Sequence, residues 1–578
     1  MTIGSLRAGL VVAALLGLTA VGCRPTPPVS LEPAGTGGTA PSENPGGSAR
    51  ETVTDWYETI AIDGHLVGHS HVRHRRPPDA ATAPPGHLGD VYEGETTMSL
   101  TRFGQAATMR LTQVSEEDDT GRVLAFRTTL DQGDGEQTTH GRRVGDRFEL
   151  TVAGPPGGGV PTRTETLAVP PDVGGFYAVE RSLADDPLPP GRTRSLDVLV
   201  PMLNVVGRVT LSRPTDGAAP ATAGPVAPGA PPTHPVNAVL NVAGTELATT
   251  YHVADDGTVW RTDVPSVRQS TARVDVAEFR RAEATLGRGG PSGATPTGAV
   301  AAGPTSPNPS GGAYDLGVET LVPIAGDLAG LAARPAVTYR VTLTGGTASP
   351  PTTDAQTVRP AGKPGEFDVT VRASRPPAEG GGSPANGRLP GGPMTAEVAA
   401  ALAPGPMIQS DDPRMAAIVA GRRAALGAGA SPGRLAADLT AHVHGRLTEK
   451  NFSRAFASAA EVLARPEGDC TEHAVLLAAL LRAAGVPARV AVGLVVLPER
   501  SALAFHMWTE AYVGGVWVGF DATRPGEGVG PDRITVLTSD LSAGGGFAAL
   551  LPVVNLLGRM TVEVRPAAVQ GPVRPPAP

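Results

Sequence analysis

The chain has 578 residues, 40% of them hydrophobic and 18% charged, and a formal net charge of −8. It is long enough for several folded domains, and too acidic, with no basic stripe between aromatics, for nucleic acid to be its partner. Glycine (74) and proline (58) approach one residue in four, which marks much of the chain as linker, and the two cysteines, Cys23 and Cys470, lie too far apart for a disulfide scaffold.

Residues 1–23 read as an export signal. Arg7 precedes an apolar run over 8–21, too short to cross a bilayer and of the length of a signal core. Its end, Ala20-Val21-Gly22-Cys23, resembles the lipobox of bacterial lipoproteins. That resemblance implies lipid attachment at Cys23 and a membrane-anchored place in the cell envelope. Ala20 stands where leucine is usual, and an ordinary signal peptide with an incidental cysteine is the alternative. Residues 24–50, rich in Pro, Gly and Ser, are expected to be a flexible tether.

Residues 51–285 predict antiparallel β structure, as one meandering sheet or two related sheets. A first set of alternating runs covers 52–62, 66–73, 91–102, 106–114, 123–130 and 147–152, with Asp63-Gly64 as a turn signal. A second set covers 194–200, 205–211, 237–242, 246–253 and 259–264, interrupted by a Pro/Ala-rich loop over 215–235. His65, His69, His71 and His74 raise the question of a metal. No carboxylate or cysteine lies at ligand spacing in the sequence, so a polar strand face is the preferred reading, and no metal or other cofactor is expected.

A linker is expected over 286–313 and another over 376–393. Between them, 314–375 is a small β region with runs at 320–324, 337–343 and 367–371, either a β-sandwich or an extra sheet on the core that follows. Residues 395–465 are helical: 395–402, 413–426, 431–447 with Leu435, Leu439, Val443 and Leu447 in phase, and 456–463. Residues 546–578 read as a C-terminal strand and a proline-rich, disordered tail.

The chemistry concentrates between Glu467 and Pro525. Cys470, in Gly468-Asp469-Cys470-Thr471-Glu472-His473, opens a helical run whose Ala474, Leu477, Ala478 and Leu481 share a face. A helix tip favours thiolate, and Asp469 or Thr471 can cap it. Downstream, Gly514-Gly515 reads as a two-residue hairpin turn. Counting outward pairs Val513 with Val516, Tyr512 with Trp517 and Trp508 with Asp521. His506, Trp508, Glu510 and Tyr512 then share one face with Asp521, which lies diagonal to His506. A one-residue slip would separate them. Trp508 and Trp517 are expected to shield the His–Asp pair, and Glu472 and Glu510 to be solvated or paired with Arg489. An inert core cysteine, or a zinc set of Cys470, His473 and His506, are the competing readings, the latter weak in spacing.

These blocks, Gly-Asp-Cys-Thr-Glu-His, then His506-Met507-Trp508-Thr509-Glu510, then Trp517 to Thr523, resemble the transglutaminase-like superfamily over about 395–545. The resemblance implies a C-terminal papain-like core, so that, with the antiparallel all-β domains and Gly/Pro-rich linkers read before it, the chain is expected to be α+β. It implies a triad with Cys470 as nucleophile, His506 as base and Asp521 as its orienting partner. The activity implied is attack on an amide bond of a protein or peptide through a thioester, with hydrolysis favoured over cross-linking. No calcium-loop signature is present, so no metal dependence is expected. The alternative is a catalytically silent envelope protein that binds or scaffolds through its β domains.

Overall fold

The computed structural model describes residues 52–76, 88–132, 135–154, 162–200, 202–215, 229–287, 314–345, 349–376, 394–427, 429–449, 457–526, 528–542 and 548–566. The export signal, Cys23, the tether, most of both linkers, most of the 215–235 loop and the end of the tail lie outside the described residues.

Strand pairing here starts from two-residue turns. Asp63-Gly64, Phe103-Gly104, Ala243-Gly244 and Gly514-Gly515 have positive φ at both positions, the backbone that matches the twist of antiparallel strands. Through such turns and longer loops, fourteen strands form one antiparallel sheet. Eight, from Thr52–Ile62 to Arg163–Ala168, each pair with the next in sequence, and six do the same from Thr193–Val200 to Gln269–Val274. The first strand of one set pairs with the last strand of the other, Ile60 opposite Thr271, so both sets belong to a single sheet. Glu136–Val144, Arg163–Ala168 and Gln269–Val274 are strands that the sequence pattern does not announce. In the last, the buried phase holds Gln269, Thr271 and Arg273, so no apolar alternation is there to read. The helices Ala178–Asp185 and Val276–Gly287 were likewise not expected.

Helix Ala178–Asp185 buries Val179, Glu180, Arg181 and Leu183. Arg181 lies 3.4 Å from Asp90 and 3.3 Å from Glu117, both fully buried. Burial opposes ionisation of Asp90, yet hydrogen bonds from His74 and Arg76 hold its carboxyl down at about 2. Burial pushes the Glu117 carboxyl up to about 7 against the pull of Arg181. Two of the histidines of this region have carboxylate partners from other strands, His71 on Asp55 at 2.8 Å and His74 on Asp90 at 2.7 Å, while the His65 and His69 rings contact Tyr314 and Phe279.

A second sheet of nine strands holds the C-terminal half. The 314–375 strands are neither a separate sandwich nor a layer stacked on the core. Val322–Ala325 joins them to it, pairing with Leu503 on one side and, in parallel, with Met560–Val564 on the other. Ala336–Leu343, Glu366–Arg372 and Gln356–Pro360 continue outward from Met560–Val564. In the other direction Ala502–Val513 pairs with Ala488–Leu497, which pairs with Arg533–Ser539.

Helix Cys470–Ala483 packs on Ala502–Val513 and Ala488–Leu497, and helices Pro413–Leu426, Pro432–Arg446 and Ala459–Ala464 pack against it. Every residue from Cys470 to Arg482 is buried, not one face alone, because helices close the side that the sheet leaves open. In Pro432–Arg446 the expected stripe is buried at Leu435, Leu439 and Val443, and Leu447 follows at the cap. Leu100 of the large sheet and Leu316, Val322 and Phe505 of the second half belong to one contiguous core.

Glu117 carries a stability prediction. Its folded pKa is raised from 4.5 to about 7, so the stability it contributes is fully present below about 4.5 and is lost as pH rises through about 7. Glu117→Gln removes this dependence, and thermal unfolding followed from pH 4.5 to 7 is expected to give a flatter profile than wild type.

Candidate active site

The N-terminus of helix Cys470–Ala483 is buried, so its free N–H groups need partners inside the protein. They find a capping box. Asp469 accepts from Thr471 N at 2.8 Å and from the backbone at Glu472, and the Glu472 carboxylate accepts from Asp469 N at 2.9 Å. The other Glu472 oxygen takes Ala457 N at 2.8 Å. Glu472 is thus a structural cap, not a partner of Arg489. Gly468, at φ +144, makes room for it, since a Cβ there would lie 2.4 Å from Cγ of Glu472. Cys470 is the first residue of the helix, as the sequence suggests.

The hairpin has the expected register: Val513 faces Val516, Tyr512 faces Trp517, and pairing ends at Thr509 with Phe520. Asp521 follows directly, and its Oδ2 accepts from His506 Nε2 at 2.8 Å. A carboxylate acceptor fixes the proton on Nε2, which leaves the Nδ1 lone pair of the neutral ring as the base. That Nδ1 is buried and without a hydrogen-bond partner among the described residues.

Cys470 meets this pair at a gap that the described residues leave in the sheet. One edge of Ala502–Val513 is covered by Val322–Ala325 at Leu503 and by Val516–Phe520 from Thr509 onward. Between those contacts, the Met507 N–H donates to Cys470 Sγ at 3.4 Å. The helix is pinned beside it, Thr509 Oγ1 donating to Ala474 O at 2.9 Å. The sulfur therefore sits against the peptide that follows His506, without a hydrogen bond to its ring.

The electrostatics differ from what a helix tip alone suggests. Cys470 is 0% exposed and His506 and Asp521 are 2% exposed. Burial pushes the Cys470 thiol well above its ordinary range, and Asp469, Glu472 and Asp521 add to that, while the Met507 N–H works the other way. The structure thus presents a neutral thiol beside an open base rather than a preformed thiolate. Burial also acts against ionised Asp521, but His506, Arg533 and Thr523 hold its carboxyl well below the carboxylate range.

Two of these partners were not anticipated. Arg533 Nη2 donates to Asp521 Oδ2 at 2.7 Å, sharing that oxygen with His506, and Arg533 Nη1 binds Asp532 at 2.7 Å. Thr523 donates through N and Oγ1 to Asp521 Oδ1 at 2.9 and 2.6 Å. The only signal for Arg533 was an arginine opening an apolar strand. Trp508 stacks near His506, with ring centroids 6.3 Å apart, and a Cβ at Gly493 would lie 2.8 Å from the Trp508 ring. Trp517 does not shield the pair. It packs on Val398 and Ala401 under Arg489, whose guanidinium lies 4.1 Å from the ring centroid and pairs with Glu510 at 2.7 Å.

Comparison with known proteins gives a family for this region. Residues 427–522 match the family model of the transglutaminase-like superfamily, a span that includes Cys470, His506 and Asp521. No curated protein matches the chain. Among solved structures, one described as a "Putative Cysteine Protease" from Cytophaga hutchinsonii aligns at 16% identity, covering 39% of this chain and 83% of that one, with a TM-score of 0.27. A β-barrel-like protein from Brucella abortus aligns at 10% identity over 38% of this chain and 93% of that one, with a TM-score of 0.26. Both likenesses are too weak to bear on fold or activity.

Arg533→Met leaves the Asp521 carboxylate buried without its cation, which costs about 3–5 kcal/mol of stability. Chemical denaturation is expected to show that loss and to show most of it recovered in Arg533→Met/Asp521→Asn.

Proposed function

We propose that the transglutaminase-like region is a cysteine enzyme acting on amide bonds of protein or peptide substrates. The observation that carries this reading is the His506 Nε2–Asp521 Oδ2 bond of 2.8 Å, which frees a buried Nδ1 on the residue whose following N–H holds the Cys470 sulfur. His506 Nδ1 takes the thiol proton as Cys470 Sγ attacks the amide carbonyl. The S–C bond forms and the C–N bond breaks, the His506 proton leaves with the amine, and a thioester remains. The same base then activates water, which releases the acid and restores the thiol. A primary amine in place of water would give cross-linking. Hydrolysis is the favoured outcome.

Arg533 and Thr523 fix the Asp521 carboxylate, and so the ring that it orients. The backbone N–H at the tip of the helix is the donor proposed for the oxyanion. Export and anchoring through Cys23 belong to the same proposal. They rest on the sequence over 1–23 and put the substrate in the cell envelope.

The complete burial of the sulfur favours a second reading, a catalytically silent domain with binding by the large sheet. Alkylation of the full chain by iodoacetamide across pH, with the adduct at Cys470 measured by peptide mass, separates the two. The enzyme reading expects modification at pH 6–7 because the thiol proton passes to His506 Nδ1 during attack, and its loss in His506→Ala. A slow reaction with an ordinary midpoint in both proteins speaks for the silent domain. Membrane fractionation tests the anchor: Cys23→Ser is expected to move the protein from the membrane to the soluble fraction.

A further inference from the structure

The large sheet reaches into the catalytic region at one hairpin. Strands Leu88–Arg102 and Gln105–Asp118 are joined by Phe103-Gly104, with φ of 49° and 81°. A left-handed backbone is costly for a bulky aromatic residue, so the surroundings must hold it. Asp315 does so, accepting Phe103 N at 2.8 Å and Gly104 N at 2.7 Å while it also caps helix Leu316–Glu319. Arg500 lies over the Phe103 ring at 5.9 Å, and a Cβ at Gly317 would lie 2.9 Å from that ring.

With the tip seated, Arg102 falls in phase with Met98 and Leu100 and is only 2% exposed. Its Nη2 lies 3.4 Å from Asp469 Oδ2. Asp469 precedes the cysteine and caps its helix, so this guanidinium from another sheet stands one residue from the sulfur.

The charges around Cys470 make the contact consequential. Its own segment brings Asp469, Glu472 and His473, strand Ala502–Val513 brings His506, and Asp521 follows the next strand. Asp469 and Glu472 are both buried caps, and burial and the neighbouring Glu472 push the Asp469 carboxyl up to about 8, while Arg102 and the Thr471 N–H pull the other way. His473 Nδ1 donates to the Asp469 carbonyl oxygen. Arg102 is the group that the large sheet adds to this set.

We propose that Arg102 is a positioning residue of this centre, by which the large sheet offsets the Asp469 charge beside the sulfur and holds the cap that aims it. The proposal rests on Cys470 being the nucleophile. It makes the β domain part of the enzyme and not only an attached binding module. From about pH 8 upward, where Asp469 ionises, loss of the guanidinium leaves its carboxylate unopposed on the departing proton and disfavours thiolate.

The test is the pH profile of Cys470 alkylation in the full chain, followed by peptide mass alongside thermal unfolding. Arg102→Met is expected to raise the midpoint by about one unit, a fall of about tenfold in rate below it. Arg102→Met/Asp469→Asn is expected to return toward wild type, since asparagine keeps the cap and removes the charge. If Arg102→Met does not fold, Arg102→Lys carries the test, with a smaller rise that Asp469→Asn reverses. A lowered unfolding temperature with an unchanged midpoint, a faster reaction, or no reversal by Asp469→Asn overturns the proposal. A wild-type profile unaffected by His506→Ala overturns instead the enzyme reading beneath it, and this proposal with it.

Discussion

The buried N-terminus of helix Cys470–Ala483 is the constraint on which the rest depends. A helix start in solvent leaves its first N–H groups to water, and this one cannot. The chain answers with two carboxylates, Asp469 and Glu472, which cap the helix reciprocally and reach Ala457 as well. That solution sets a cysteine at the helix tip and surrounds it with negative charge. It requires glycine at Gly468 and brings in a distant cation, Arg102. The cap that fixes the sulfur in space and the charge that opposes its ionisation are therefore the same atoms.

The sheet solves the complementary problem of leaving one edge open. Strand Ala502–Val513 is covered along one side by Ala488–Leu497, but among the described residues its other side has a gap between Leu503 and Thr509. The sulfur uses an N–H that a neighbouring strand would otherwise have taken. Asp521 lies just beyond the last paired residue of its strand, where the side chain can turn toward His506 and still collect Arg533 and Thr523. Four donors on one carboxylate leave it little freedom, and the imidazole inherits that order.

The large sheet depends on buried charge in another way. Arg181 stands between Asp90 and Glu117 on a helix packed inside the sheet, and Arg273 lies in the buried phase of a strand. Such groups contribute little net stability, and a misplaced partner leaves a charge uncompensated. The same logic applies where this sheet meets the second half of the chain: Asp315 collects the hairpin tip, and Asp469 collects Arg102.

Much of this was legible in the sequence because it is encoded locally. Alternation gave most strands of the large sheet, Gly514-Gly515 set the register that brings His506 to Asp521, and a capping residue, Asp469 or Thr471, before an apolar run marked the helix start. These signals act over a few residues, where turn chemistry and side-chain period decide the backbone. Strands with polar residues in the buried phase, such as Gln269–Val274, gave no such signal. Only the tertiary structure decided that the sulfur is fully enclosed, that Arg533 shares the aspartate, and that Val322–Ala325 joins two groups of strands into one sheet. It alone brought Arg102 to an aspartate 367 residues away. Enclosure and charge pairing depend on which distant segments meet when the chain closes, and no local period records that.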